Sequence, residues 1–232
     1  MIHNDKVLED VNALLDYDAI KDFLFMNVIN AQTYQQELQT MPHTIVGDLA
    51  IVYRVMIKTT DENFCSAKIT NQMMDQYGID VSKLHNDALI SSPRIMKPEI
   101  LPLETLAIGT PKETALQDTE RNLVVLTNEH KTDGASTMFY AGVLNDLATK
   151  LSHSLYIIPS STDECIAVCD SSHLDYKHLE NMLHEVNDSS LVDPDKKLSD
   201  HLYHYDKDEH IFEKAEDYQK RIFKQKYSQL LH

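Results

Sequence analysis

Three groups of residues in this sequence carry side chains capable of chemistry. The first is Pro159-Ser160-Ser161-Thr162-Asp163-Glu164, where hydroxyls and carboxylates crowd between two apolar runs. If those runs are strands, the group sits at a strand end, where α/β proteins place many of their sites. Ser160, Asp163 and Glu164 are therefore the candidate residues of a hydrolase-like centre. The competing reading is a β-turn, in which proline fixes φ and Ser or Asp side chains bond nearby backbone groups. A serine nucleophile also needs a positioned base, and no G-x-S-x-G elbow is present. The turn is the simpler account.

The second group is His201, His204 and His210, set among Asp200, Asp206, Asp208 and Glu209. Imidazole and carboxylate together hold transition metals or exchange protons near neutral pH. His201 and His204 are thus candidates for a catalytic base, and His201, His204, Asp206 and His210 for a metal site. On a strand, however, residues three apart point to opposite faces. The spacing is also not that of a calcium-binding EF-hand loop. A solvated acidic hairpin explains the composition without a ligand, and no cofactor is expected.

Cys165 and Cys169 form the third group. Four apart on a strand, they share a face but stand roughly 13 Å from one another, too far to chelate together. There is no C-x-x-C and no second pair to complete a tetrahedral zinc site. Cysteine is a comfortable small core residue, which is the reading preferred here. His178 and His184, six apart, do not make an H-x-x-x-H pair, and H-E-x-x-H, P-loop and dinucleotide fingerprints are absent from the sequence.

Positioning these residues requires a mixture of strands and helices. Val7, Leu8, Val11, Leu14 and Leu15 recur at helical spacing. A further helical segment starts at Asn30 and ends before Pro42. The β-branched run Leu49 to Ile57 reads as an inner strand or hairpin partner. Ile69 to Tyr77 reads as a helix stopped by Gly78, and Asp80 as the cap of the next helix. Pro93, Pro98, Pro102 and Pro111 punctuate residues 91–120, where only Leu103 to Ile108 suggests a short strand. Beyond them, strands are expected at Leu123–Thr127, Thr137–Tyr140, Leu155–Ile158 and Glu164–Cys169. Helices are expected at Gly142–Leu151 and Leu174–Val186, followed by a hairpin from Leu202 to Phe212. A closing basic helix presents Tyr218, Ile222, Phe223, Tyr227, Leu230 and Leu231.

That order predicts an α+β fold: a mixed β-sheet packed with amphipathic helices, opened by an N-terminal helical segment and closed by a basic C-terminal helix. Residues 1–110 read as an N-terminal α/β region and residues 111–232 as a C-terminal α+β region. Whether the two pack as one continuous domain is left open by the sequence.

Several of these segments also carry a resemblance. FYAGVLNDLA from Phe139, LYIIPSS from Leu155, EVN from Glu185 and LSDHLYHYD from Leu198 resemble, in order and spacing, the family catalogued as domain of unknown function 5688. That family is found in gut-associated Firmicutes and their mobile elements. The resemblance covers roughly residues 120–215, and it implies kinship and fold but no activity, cofactor or catalytic residue.

Charge restricts function further. The chain carries 37 Asp plus Glu against 21 Lys plus Arg, a formal net charge of −16. Residues 163–217 hold 16 acids and 5 bases, whereas the stretch from Tyr218 onward holds only Lys220, Arg221, Lys224 and Lys226. A body of this sign repels phosphate backbones and anionic membranes, so direct binding to nucleic acid or membrane is not expected. The opening MIHNDKVLEDV has no basic region followed by an apolar run, and three cysteines cannot all pair with one another. A cytoplasmic protein is therefore expected. The leading functional expectation is a noncatalytic interaction or accessory protein recognising a basic protein partner or forming a homodimer. The alternatives are the hydrolase-like enzyme above and a DNA-mimicking inhibitor of a nucleic-acid-binding protein.

Overall fold

Around the β-branched run at residues 49–59 the N-terminal sheet is assembled, in a computed structural model that describes residues 11–59, 64–103, 123–171, 176–188 and 193–230. A 3₁₀ turn, Val11–Leu15, leads into helix α1 (Tyr17–Ile20), whose cap Asp16 accepts from the Asp18 backbone N–H. Strand β1 (Leu24–Asn30), the short helix α2 (Gln35–Leu38) and strands β2 (His43–Val46), β3 (Leu49–Thr59) and β4 (Phe64–Lys68) follow. β3 pairs antiparallel with β1 along one edge, and with β2 and then β4 along the other.

The period-two alternation of these strands fixes what they bury. Leu24 and Met26 on β1 share a face with Ile51, Tyr53 and Val55 on β3. That face packs on helices α3 (Asn71–Tyr77) and α4 (Val81–Ile95) through Met74, Leu84 and Ala88. Both helices begin and end as their residues dictate. Thr70 caps α3, Gly78 stops it at φ +65°, and Asp80 caps α4 by accepting from Lys83 N–H. Helix α4 continues through Pro93, where the sequence suggests a break. Ser92 ties this turn down, donating to the Ala88 carbonyl while accepting from Met26 N–H of β1.

The second sheet contains β5 (Pro98–Pro102), β6 (Leu123–Asn128), β7 (Leu155–Ile158), β8 (Cys165–Cys169), β9 (Tyr203–Asp206) and β10 (Ile211–Lys214). Their order is β10-β9-β7-β8-β6-β5. Helices α5 (Val143–Leu151), α6 (Tyr176–Asp188) and α7 (Ala215–Leu230) cover the sheet. One face buries Leu126, Leu155, Ile157, Cys165, Ala167 and Tyr203 against Leu144 and Leu147 of α5 and against Val28 and Leu49 of the first sheet. The other face places Tyr156, Ile158, Val168 and Leu202 under Leu179 and Leu183 of α6 and Ala215 of α7. Full burial of leucines such as Leu179 and Leu183 stabilises this layer by about 2 kcal/mol each.

The α+β architecture, with its N-terminal helical segment and C-terminal helix, is the one expected. The strands divide between two sheets, and every pairing among the described residues is antiparallel. One element differs in kind. Thr137–Tyr140 is expected as a strand, but Thr137 to Phe139 lie in a 3₁₀ turn, Gly134–Phe139, closed by Tyr140 N–H to the Thr137 carbonyl. No ladder position is open to it beside β6, because β5 and β8 occupy both edges of that strand. Its apolar side chains are buried from a turn instead. Val7 and Leu8, and the stretch beyond Leu103 up to Ile108, lie outside the described residues. Among the described residues no helix is long and apolar enough to cross a membrane.

Candidate functional site

The strand-end group between β7 and β8 is a turn held by the Ser161 hydroxyl and by Asp163. Ser161 Oγ accepts from the backbone N–H groups of Asp163 and Glu164, at 3.2 and 3.3 Å. Ser160 is buried, and its carbonyl accepts from Leu198 N–H. Asp163 is the hub. Its carboxylate takes Lys196 Nζ at 2.6 Å and the Asp133 backbone N–H at 3.1 Å, while its carbonyl accepts Thr127 Oγ1 at 2.9 Å. Asp133 stands in the left-handed region at φ +55°. Burial pushes its carboxyl above the usual range; Arg54 opposes that shift and Asp163 adds to it. Lost solvent, then the Asp163 charge, likewise raises Glu164. The result is a polar seam between the two sheets. The Ser161 hydroxyl and the Asp163 carboxylate are spent on the turn itself and on the contacts with Asp133 and Lys196.

The histidines are dispersed. His204 is fully buried on the α6–α7 face of the second sheet, with Nε2 3.0 Å from Asp170 Oδ2. The Tyr218 ring of α7 stacks on it at 3.5 Å between centroids, and Tyr156 meets its edge at 5.0 Å. Its Nδ1 has no hydrogen-bond partner among the described residues. His201 is exposed and donates its backbone N–H to Ser199 Oγ. His210 sits in the β9–β10 turn at φ +54°, where Nδ1 lies 3.1 Å from the Tyr205 hydroxyl. The Asp206 carboxylate caps the same turn and also takes Arg221.

The sequence candidates are therefore held by different partners: Asp163 by Lys196, His204 by Asp170, Asp206 by Arg221 and His210 by Tyr205. Among the described residues no group of three or more His, Cys, Asp or Glu could hold a metal ion. Cys165 and Cys169 are buried as free thiols on the core face of β8, and burial pushes both thiol pKa values up. Asp133, Asp170 and Tyr218 are the residues that sequence spacing misses. Each meets its partner only through tertiary contact. The one local signal is Tyr218, visible as an apolar position of the basic helix.

Helix α7 has two distinct halves. Its N-terminal half is clamped: Arg221 donates to Asp206 at 2.9 Å and to Glu213 at 2.7 Å, and Gln219 donates to the Tyr156 hydroxyl. Its distal half is open. Phe223 and Tyr227 are 70% and 59% exposed and stack on one another. Lys224 and Lys226 beside them are exposed and make no ion pair among the described residues. On the first sheet, Ala31, Gln35, Leu38, Gln39, His43 and Ile45 line an open groove of ≈ 320 Å³.

A family described as a family of unknown function (DUF5688) matches the chain over residues 1–207, a span that ends inside the β9–β10 turn. No curated protein and no solved structure matches.

Proposed function

We propose that this chain, which belongs to the DUF5688 family of unknown function, is a noncatalytic recognition protein whose acidic C-terminal surface binds a basic protein partner. The observation that carries the reading is how the charges of residues 163–217 are spent. Lys196, Lys197, Lys207 and Lys214 are each held by a carboxylate of this chain. Glu164, Glu185, Asp193, Asp195 and Glu209 are exposed and make no ion pair among the described residues. The field of this surface is thus uncompensated, and such a field speeds encounter with a cationic partner and rejects anionic ones. Three free cysteines support a reducing, cytoplasmic setting.

A hydrolase-like centre built from Ser160, Asp163, Glu164 and His201 or His204 has less support, because Asp163 is taken by Lys196 and His204 by Asp170, while His201 is exposed. The deciding experiment is capture from the native host by the full chain. It is compared with a variant carrying Glu164→Gln, Glu185→Gln, Asp193→Asn, Asp195→Asn and Glu209→Gln. A basic partner retained at about 0.05 M salt, released at about 0.5 M and lost with the variant is the expected result. Retention that ignores both salt and the variant overturns it. Competition by duplex DNA for the captured partner would instead identify imitation of a phosphate backbone.

A further inference from the structure

We infer that the distal half of α7 docks in the α2–β2 groove of a second copy of this chain, reciprocally, so that two copies close into a dimer. Resting on the acidic-surface reading above, this names one basic segment that such a surface accepts.

The helix cannot fill the groove of its own molecule as folded here, because Arg221 and Tyr218 hold α7 on the second sheet with Phe223 and Tyr227 facing out. Two aromatic side chains four residues apart on one helix face are the pattern of helix-in-groove recognition. Aromatic residues are also the commonest anchors of protein interfaces. The groove offers an apolar floor in Ala31, Leu38 and Ile45, and Ile45 is 51% exposed on a free edge strand. At ≈ 320 Å³ it is at the small end of ligand pockets and is suited to inserted side chains.

Charge selects the occupant. Tyr34, the residue before the groove-lining Gln35, donates to the Asp195 carbonyl at 2.8 Å, which ties the Asp193–Asp195 turn to the start of α2. Glu37 of α2 adds a third exposed carboxylate, and all three lie close enough to Tyr34 to help burial raise its pKa. A cationic helix carrying Lys224 and Lys226 is complementary to these carboxylates around Tyr34, and this chain itself supplies one. Local complementarity of this kind is what allows two copies with a net charge of −16 to associate.

Sedimentation of the full chain at low salt should show a species of twice the 26.6 kDa chain mass. The double variant Phe223→Ser/Tyr227→Ser should weaken dimerisation by roughly 30-fold, the loss of one interface anchor or more. Ile45→Glu should weaken it similarly from the groove side, with circular dichroism and melting temperature unchanged for both variants. Mixing the two variants should restore a dimer that neither forms alone, since one intact helix then meets one intact groove. A wild-type monomer across about 1–100 μM, or a dimer indifferent to these substitutions, overturns the inference. A monomer that still captures a basic partner sinks only the copy–copy contact, whereas loss of salt-sensitive capture sinks the acidic-surface reading itself.

Discussion

Gly134 joins two parts of the polar seam because it lacks a side chain. A Cβ there would come within 2.4 Å of Thr127 Oγ1, 2.5 Å of the Asp163 carbonyl and 2.7 Å of Asn128 N. Two of those three atoms belong to backbone and have no rotamer to change. Gly134→Ala should therefore destabilise the protein by about 3 kcal/mol, as overpacking does, and lower its urea midpoint without changing the slope. An unchanged midpoint would mean that the seam yields. Sequence spacing does not reveal this constraint on Gly134, because its contact with Asp163 spans about thirty residues of chain. The same distance hides Asp133. The Pro159–Asp163 turn, by contrast, is legible because its bonds are local: Ser161 Oγ accepts from the N–H groups two and three residues ahead.

Among the elements, α7 shows most clearly what periodicity reveals and what it conceals. A basic amphipathic helix is readable from its apolar spacing, but the division of that apolar set is not. Tyr218 is drawn inward by His204, and Phe223 and Tyr227 are left outside. The clamp that makes the division is Arg221, bound to two carboxylates that are themselves largely buried. Burial alone would push Asp206 up, yet Arg221 and the N–H groups of Asp208 and Glu209 prevail and hold it below the usual carboxylate range. A depressed carboxylate pKa contributes stability that is complete above its unfolded value, near 3.8, and is lost as pH falls through the folded value. Arg221→Met should cost about 2 kcal/mol near neutral pH, the scale of hydrogen bonds to charged groups. Its deficit should shrink as pH falls below about 3.8, followed by tyrosine near-UV circular dichroism. A deficit that stays constant down to pH 2 would assign the loss to packing of the arginine stem. The 3₁₀ turn at Gly134–Phe139 makes the complementary point: β-branched and aromatic residues mark burial, and here the occupied edges of β6 exclude a strand.

At the scale of the whole molecule, two sheets are joined by contacts that no local pattern announces. Tyr203 of β9 donates to Asp48 Oδ1 at 2.7 Å, Lys214 Nζ lies 3.3 Å from the same carboxylate, and Asn30 donates to the Leu198 carbonyl. The acid excess, however, is plain from composition, and its consequence for folding has the opposite sign from its consequence for binding. Exposed ion pairs such as Lys21–Asp18 and Lys220–Asp217 are worth little in water. Unpaired carboxylates distributed over a body of −16 repel one another and oppose compaction. Raising salt from about 0.01 to about 0.1 M shortens the screening length from about 30 to about 10 Å, which removes more repulsion than attraction. The melting temperature should therefore rise by about 2–4 °C over that range, the equivalent of roughly 1 kcal/mol for a chain of this size. Association through the acidic surface should weaken over the same range. A melting temperature that falls with salt would show instead that paired charges dominate, and the uncompensated field on which recognition depends would be absent.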